Sequence, residues 1–265
     1  MSAPFDLIAS QYDSIFTNGS IGQLQRQHVW NYLEGVLPEL AGLEILELNC
    51  GTGEDALLFS EKGFTIMATD VSTEMLKVTQ QKAKQSSMQH RISSQYLDLE
   101  NFDQSFFDKK FDLVFSNFGG LNCVQPGSLQ LLLEKIPSLL NPGGRFIAVI
   151  MPRFCMWESI YFLFKLQRSS IFRRWTASGV NANLHGTDIK VWYYHPSQVK
   201  KWSSKHFKTV AILPIGFAVP PSYQEAFFIK KKRTLFFLNT LESAFSRISM
   251  LSGLSDHYLI DLKIK

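Results

Sequence analysis

The stretch from Leu43 to Asp70 limits the folds open to this chain more than any other. It opens on apolar residues at Leu43, Ile45, Leu46 and Leu48, breaks at Gly51 and Gly53, and resumes at Asp55 with helix-forming residues up to Lys62. That order reads as strand, tight glycine turn, helix. Gly63 suits a helix C-terminus, and Phe64 to Thr69 forms a second short apolar strand that delivers Asp70 at its carboxyl end. The result is a βαβ nucleotide-binding unit. Glycines in such a turn let the backbone approach a ligand at the helix N-terminus, and an acid closing the next strand can accept both hydroxyls of a ribose. Glu47 narrows the ligand further. A carboxylate at the end of the first strand suits a cationic amino group and repels a dinucleotide pyrophosphate.

The run Glu47-Leu48-Asn49-Cys50-Gly51-Thr52-Gly53 resembles the first motif of the class I S-adenosylmethionine-dependent methyltransferases, an acid followed by a Gly-x-Gly-x-Gly turn. Asn49 stands where the first glycine usually sits. The departure is mild: Asn tolerates left-handed angles better than most residues, and the backbone there need not be extreme. The likeness covers roughly residues 5 to 150 well and the remainder loosely. It implies an α/β fold, a Rossmann-like, doubly wound, seven-stranded and mostly parallel sheet with an antiparallel last strand, an N-terminal helical cap and an inserted lid. It also implies S-adenosyl-L-methionine as cofactor and S-adenosyl-L-homocysteine as product, with Glu47, Asn49, Cys50, Gly51, Thr52, Gly53 and Asp70 in contact.

Further stretches fall in register with the same family. Phe111-Asp112-Leu113-Val114 resembles its fourth strand, and Leu140-Asn141-Pro142-Gly143-Gly144-Arg145-Phe146 its Leu-x-Pro-Gly-Gly-x-Phe turn into the fifth. Gly51-Thr52-Gly53-Glu54-Asp55-Ala56 also satisfies the dinucleotide pattern Gly-x-Gly-x-x-Gly/Ala, so a nicotinamide-dependent oxidoreductase is one alternative. The Pro-Gly-Gly turn, rare in dinucleotide folds, counts against it. A non-catalytic S-adenosylmethionine-binding protein is the other.

By the same resemblance, Phe5-Asp6-Leu7-Ile8-Ala9 through Tyr12-Asp13 looks like the opening of small-molecule and quinone methyltransferases, a segment that folds over the cofactor. Tyr12 is then a lid residue, and Arg26 a partner for the methionine carboxylate; ordinary packing and a solvated charge are the plain readings of the two. Ser72 suits a helix N-cap. Val71 and Met75 would flank the adenine, although a Met on a helix face also reads as core. Asp98, closing the strand Ile92 to Leu97, would accept the adenine amino group, with a backbone amide from Leu99. Asn117 and Phe118, after the fourth strand, would floor the methionine and acceptor region.

With 265 residues, 45% hydrophobic and 19% charged, the chain reads as one decorated domain, 1–265. Its parts are a cap (1–40), a cofactor-binding core (41–151), an acceptor lid (152–205) and the rest of the core (206–265). A net charge of +4 and no appended basic domain argue against a nucleic-acid acceptor. Three cysteines without Cys-x-x-Cys spacing fit a reducing cytoplasm. No apolar run reaches the ~20 residues that span a bilayer, which leaves only peripheral membrane contact open. The expected partner is a small-molecule acceptor, the expected assembly a monomer or homodimer.

Beyond Pro152 the sequence leaves the common core. Met156 to Trp175 interleaves aromatics with Lys165, Arg168, Arg173 and Arg174, and reads as a lid over a hydrophobic acceptor, an interfacial helix, or a packed helix with a solvated basic face. Val191 to Pro196 reads as extended, leading into a helix at Ser197 to Ser203. His206 to Leu213 is a sixth strand, and Asp256 to Ile264 resembles the antiparallel edge strand that the family inserts between two others. The basic run inside Phe227 to Phe237 reads as a solvated turn between packed aromatics. If the acceptor arrives protonated, His195 and His185 are the candidate bases. No histidine or acid spacing suits a metal.

Overall fold

The computed structural model describes residues 4–37, 42–184 and 186–265. Its centre is β1 (Glu44–Leu48), hydrogen-bonded in parallel to β2 (Thr65–Asp70) on one side and to β4 (Phe111–Ser116) on the other. β3 (Ile92–Tyr96), β5 (Leu140–Ile150), β8 (Phe207–Ile215) and β9 (His257–Ile264) complete a sheet of order β3-β2-β1-β4-β5-β9-β8. The strand order reverses between β1 and β4, and a crevice opens at such a switch point, beyond the carboxyl ends of the strands. β9 runs antiparallel to both neighbours. It lies inside the sheet rather than at its margin, which β8 forms.

Strand alternation splits the core in two. Leu46 and Leu48 face α4 (Pro126–Leu139) and α6 (Pro196–Ser203), meeting Leu132, Ile136 and Val199. Ile45 faces the other layer, α1 (Ser20–Val36), α2 (Glu54–Glu61) and α3 (Thr73–Gln85), through Val29, Leu33, Phe59 and Leu76. A residue period of two puts Glu47 on this second side.

The cap is less regular than a helical reading of residues 5 to 36 suggests. A 3₁₀ turn (Pro4–Ile8) and a π-helical turn (Asp13–Thr17) precede α1. Asp6 accepts the Ser72 hydroxyl at 2.6 Å, Thr52 donates to Asp13 at 2.6 Å, and Lys82 pairs with Asp13 at 2.5 Å. The cap is thus tied to α3 and to the glycine turn beneath it.

Two expectations need correction, and one hairpin is unexpected. Only Met156–Phe164 of the aromatic segment is α-helical (α5); 3₁₀ turns follow at Arg168–Ser170 and Arg173–Trp175. The reversal has a cause: Arg173 and Arg174 fold back to bond the Glu158 carboxylate, which a helix running on to Trp175 would carry out of reach. A hairpin of β6 (Val180–Leu184) and β7 (Thr187–Val191) packs Ile189 and Val191 beside Tyr193. The basic run does not form one turn: α7 (Glu225–Phe228) precedes exposed Lys230 and Lys231, whereas Lys232 already opens α8 (Lys232–Phe245). No helix among the described residues is long and apolar enough to cross a membrane.

The glycine turn depends on a close approach. Asn49 adopts φ 55°, a left-handed conformation that Asn accepts, and its Cβ would lie 2.4 Å from a Cβ placed on Gly120. Gly120→Ala is therefore expected to cost about 1–3 kcal/mol in thermal unfolding. Asn49→Gly in the same chain should recover most of that loss, and additive losses would show that the contact does not set the constraint.

Candidate cofactor and acceptor site

At the switch point the carboxyl ends of β1, β2 and β4 surround a cavity lined by Glu47, Asn49, Cys50, Gly51, Thr52, Asp70, Val71, Met75, Asn117 and Phe118, with Tyr12 and Arg26 reaching in from the cap. Gly53 lies just behind it. Its φ is 79°, and a Cβ there would stand 2.6 Å from Thr79, so the turn closes tightly on α3.

Asp70 is held by the loop it serves. Its two carboxylate oxygens accept N–H groups from Gly51 at 2.9 Å and Ser72 at 2.8 Å, and lone pairs remain for hydroxyls in the cavity. Burial raises its pKa, against the pull of those amides. Glu47 differs: it is buried, and Oε2 has no hydrogen-bond partner. Burial, with the Asp55 charge in support, pushes its carboxyl well above the ordinary range although Arg26 opposes the shift. A buried acid left unsatisfied is costly unless a ligand completes it.

Asp55 binds the walls together. It accepts from Trp30 Nε1 at 2.8 Å and Asn117 Nδ2 at 2.9 Å, and forms an ion pair with Arg26. Only one guanidinium nitrogen of Arg26 is so engaged among the described residues, and the group also lies 5.2 Å from the Phe118 ring centre. Burial pushes the Tyr12 phenol up to about 12.

A second, larger cavity of about 360 Å³ adjoins the first. Phe5, Tyr12, Arg26, Phe118, Gly119 and Cys123 line both. Its far wall is polar and buried. Arg174 donates to Glu158 at 2.9 Å and to Asp256 at 3.0 Å, and His257 Nδ1 stands 3.2 Å from Asp256, at ion-pair distance without hydrogen-bond alignment. Burial alone would raise the Asp256 carboxyl, but His257 and Arg174 hold it far below the usual range, so it is a carboxylate. The His257 ring meets Phe118 edge-on at 5.5 Å, and Nε2 points toward Gly119, on the seam between the cavities.

Residues 45–144 match the family model for methyltransferase domains. The demethylmenaquinone methyltransferase of Clavibacter sepedonicus is 32% identical over 147 residues, 56% of each chain. Residues 45–144 thus form a domain similar to those of S-adenosylmethionine-dependent methyltransferases. It spans 51–58% of the length of the first curated relatives it matches. Likeness in fold extends further. The CcbJ methyltransferase from Streptomyces caelestis aligns over 99% of this chain and 98% of its own, with TM-score 0.64 and 14% identity. A methyltransferase from Mesorhizobium loti aligns over 91% and 99%, with TM-score 0.57 and 16% identity.

The Mesorhizobium loti protein is described as S-adenosylmethionine dependent, and the chemistry of the lining fits that cofactor. The unpartnered Glu47 oxygen suits the amino group, and Asp70 suits the ribose. Tyr12, Arg26, Val71, Met75, Asn117 and Phe118 are all brought to this cavity, and Met75 serves the core as well, packing with Ile8 and Ala9. Asp98 and Leu99 are not brought there. Asp98 caps a 3₁₀ turn through the Glu100 amide at 2.9 Å and the Asn101 side chain at 2.8 Å, and Leu99 is core.

His195 lies in neither cavity. It is the N-cap of α6, with Nδ1 2.8 Å from the Ser197 hydroxyl, because Pro196 starts the helix and the preceding residue must satisfy its amides. His185 lies outside the described residues. Sequence reasoning missed Asp55, Cys123, Glu158, Arg174, Asp256 and His257. A buried-acid signal existed only for Asp256-His257, at the head of an apolar strand. Among the described residues no group of His, Cys, Asp and Glu could hold a metal.

The raised Glu47 pKa gives a signed pH dependence. Its folded value lies above the unfolded one, so the ligand-free fold loses stability as pH rises through the folded value. Affinity for a cationic amino group rises over the same window, since the carboxyl must release its proton to pair. Glu47→Gln is expected to weaken S-adenosylmethionine binding, abolish proton release on binding, and leave the melting temperature equal or higher. Calorimetry in buffers of different ionisation enthalpy measures the first two, and a collapse of the melting temperature would make Glu47 structural.

Proposed function

We propose that this chain transfers a methyl group from S-adenosylmethionine to a small, hydrophobic, hydroxyl-bearing acceptor held in the second cavity. The shared wall carries this reading: ligands in the two cavities meet at Phe118 and Gly119. The cofactor supplies an electrophilic methyl group, and the protein's main contribution is alignment. Phe5 and Tyr12 of the cap, which is fastened through Asp6 and Asp13, line both cavities at the seam. The names of relatives such as the Clavibacter protein support an acceptor with an oxygen-bearing aromatic ring. The apolar wall of Met151, Ala182, Ile189 and Val191 suits such a ring. Its three cysteines, all unpaired, support a reducing compartment such as the cytoplasm.

His257 replaces His195 as the proposed proton acceptor. It faces the seam, Asp256 stands behind Nδ1, and Arg174 fixes Asp256. An imidazole backed by a carboxylate can take a hydroxyl proton as the oxygen or the activated ring carbon attacks.

Titration with S-adenosylmethionine, S-adenosylhomocysteine and NADH, followed by methyl-transfer assay on a naphthohydroquinone, tests the reading. Binding of both adenosyl ligands with turnover supports it. NADH binding alone overturns it, and adenosyl binding without turnover across a panel of hydroquinones and phenols points to a non-catalytic binder. His257→Asn is expected to keep S-adenosylhomocysteine affinity while lowering turnover about 10²–10⁴-fold. Unchanged turnover would remove His257 from the chemistry.

A further inference from the structure

Two basic and aromatic stretches take no part in the cofactor pocket, yet they fold against each other. The Trp157 ring on α5 stands 6.1 Å from Phe228, and both pack with Leu235 and Leu238 of α8. Tyr161 meets Tyr223 at 5.9 Å. With these residues turned inward, the outer surface keeps large apolar side chains in water: Phe164 is 83% exposed, Leu166 81% and Phe236 74%, with Phe227, Ile229 and Phe237 each more than half exposed. On α8, helical spacing sets Arg233, Phe236 and Phe237 together, opposite buried Leu235.

Charge on this surface has one sign. Between residues 152 and 178 the single acid is Glu158, and between 217 and 248 the acids are Glu225 and Glu242. All three are consumed inward. Glu158 holds Arg173 and Arg174, Glu225 accepts the Ser20 and Ile21 amides at the start of α1, and Glu242 accepts four backbone amides from Gly216 to Val219. Lys165, Arg168, Lys230, Lys231, Lys232 and Arg233 remain exposed, and among the described residues none has a carboxylate within 4.0 Å. Lys165 and Lys231 instead lie over the rings of Tyr161 and Phe227.

We propose that this face docks on an anionic lipid bilayer. The aromatics enter the boundary between headgroups and acyl chains, and the cations stay hydrated among the headgroup phosphates. A protein partner fits less well, since interface cores are depleted of lysine and desolvating six unpaired cations is costly. Pro221 and Tyr223 line the second cavity, and Tyr223 touches α5. Docking therefore sets the rim of that cavity at the bilayer surface, where an apolar acceptor partitions. The docking itself rests on the surface alone and stands apart from the reading of the cavity.

Cosedimentation of the full chain with vesicles of phosphatidylcholine, with and without phosphatidylglycerol, tests the proposal. Binding to the mixed vesicles is expected to exceed binding to neutral ones, and to exceed binding at high salt, by at least about tenfold. Lys230→Glu with Lys232→Glu, and separately Phe164→Ser with Phe236→Ser, should each reduce binding to mixed vesicles by a similar factor. Both should leave S-adenosylhomocysteine affinity unchanged, as calorimetry would report. Absence of vesicle binding, equal binding to neutral vesicles, or full binding by either variant overturns the proposal. So does self-association abolished by the Phe164/Phe236 pair, which would make the face a contact between copies. Failure of the wild-type chain to bind S-adenosylhomocysteine would fall on the cofactor reading, and the vesicle result would still judge the surface.

Discussion

The carboxylate of Asp55 is the point on which the architecture of the site depends. It sits in the first turn of α2, where an acid is favoured by the helix dipole, and it gathers Trp30 and Arg26 from α1 and Asn117 from the end of β4. Three elements distant in sequence are thereby fixed around one buried charge. Loss of one partner from such a cluster costs about 3–5 kcal/mol because the remaining charge stays buried. The position of Phe118 follows from it: Asn117 is held by Asp55, and its side-chain oxygen accepts the Phe118 amide at 3.0 Å. Phe118 adopts φ 41°, an outlier for an aromatic residue, at the seam between the cavities.

Buried acids are satisfied in different ways here. Asp55, Glu158 and Asp256 are compensated by arginines, whereas Asp70 and Glu242 accept backbone amides. Glu47 has an oxygen with no partner in the cavity, and burial raises its pKa, so it is an acid that a cationic ligand would complete. The arginine network also explains the shape of the lid. Glu158 draws Arg173 and Arg174 back beneath α5, and that reversal leaves α5 short and places Tyr193 under Arg174 at 5.0 Å. Asn122 completes the wall by bonding the Met151 and Trp192 carbonyls, which brings the β6–β7 hairpin over the end of β5.

The seven-stranded sheet and the expected places of Asn117 and Phe118 rest on the resemblance of the motifs to a known family; the sequence by itself determined the βαβ core and the glycine turn with Glu47 and Asp70. These are local facts: period-two alternation, capping residues and glycine positions act over a few residues and survive without knowledge of the partners. The turn Asn183-x-x-Gly186 was visible as a glycine loop, though not as a hairpin, because the pairing of Val180 with Val191 is settled by what both bury against. Only the tertiary structure decided the rest. His195 and His257 each stand beside a tyrosine in the sequence, yet one caps a helix and the other faces a cavity. Asp98 closes its strand as Asp70 does, but it caps the 3₁₀ turn that follows and lines neither cavity. Whether an acid at a strand end also faces a ligand depends on whether the fold opens a cavity beside it, and that is set by packing between elements remote along the chain.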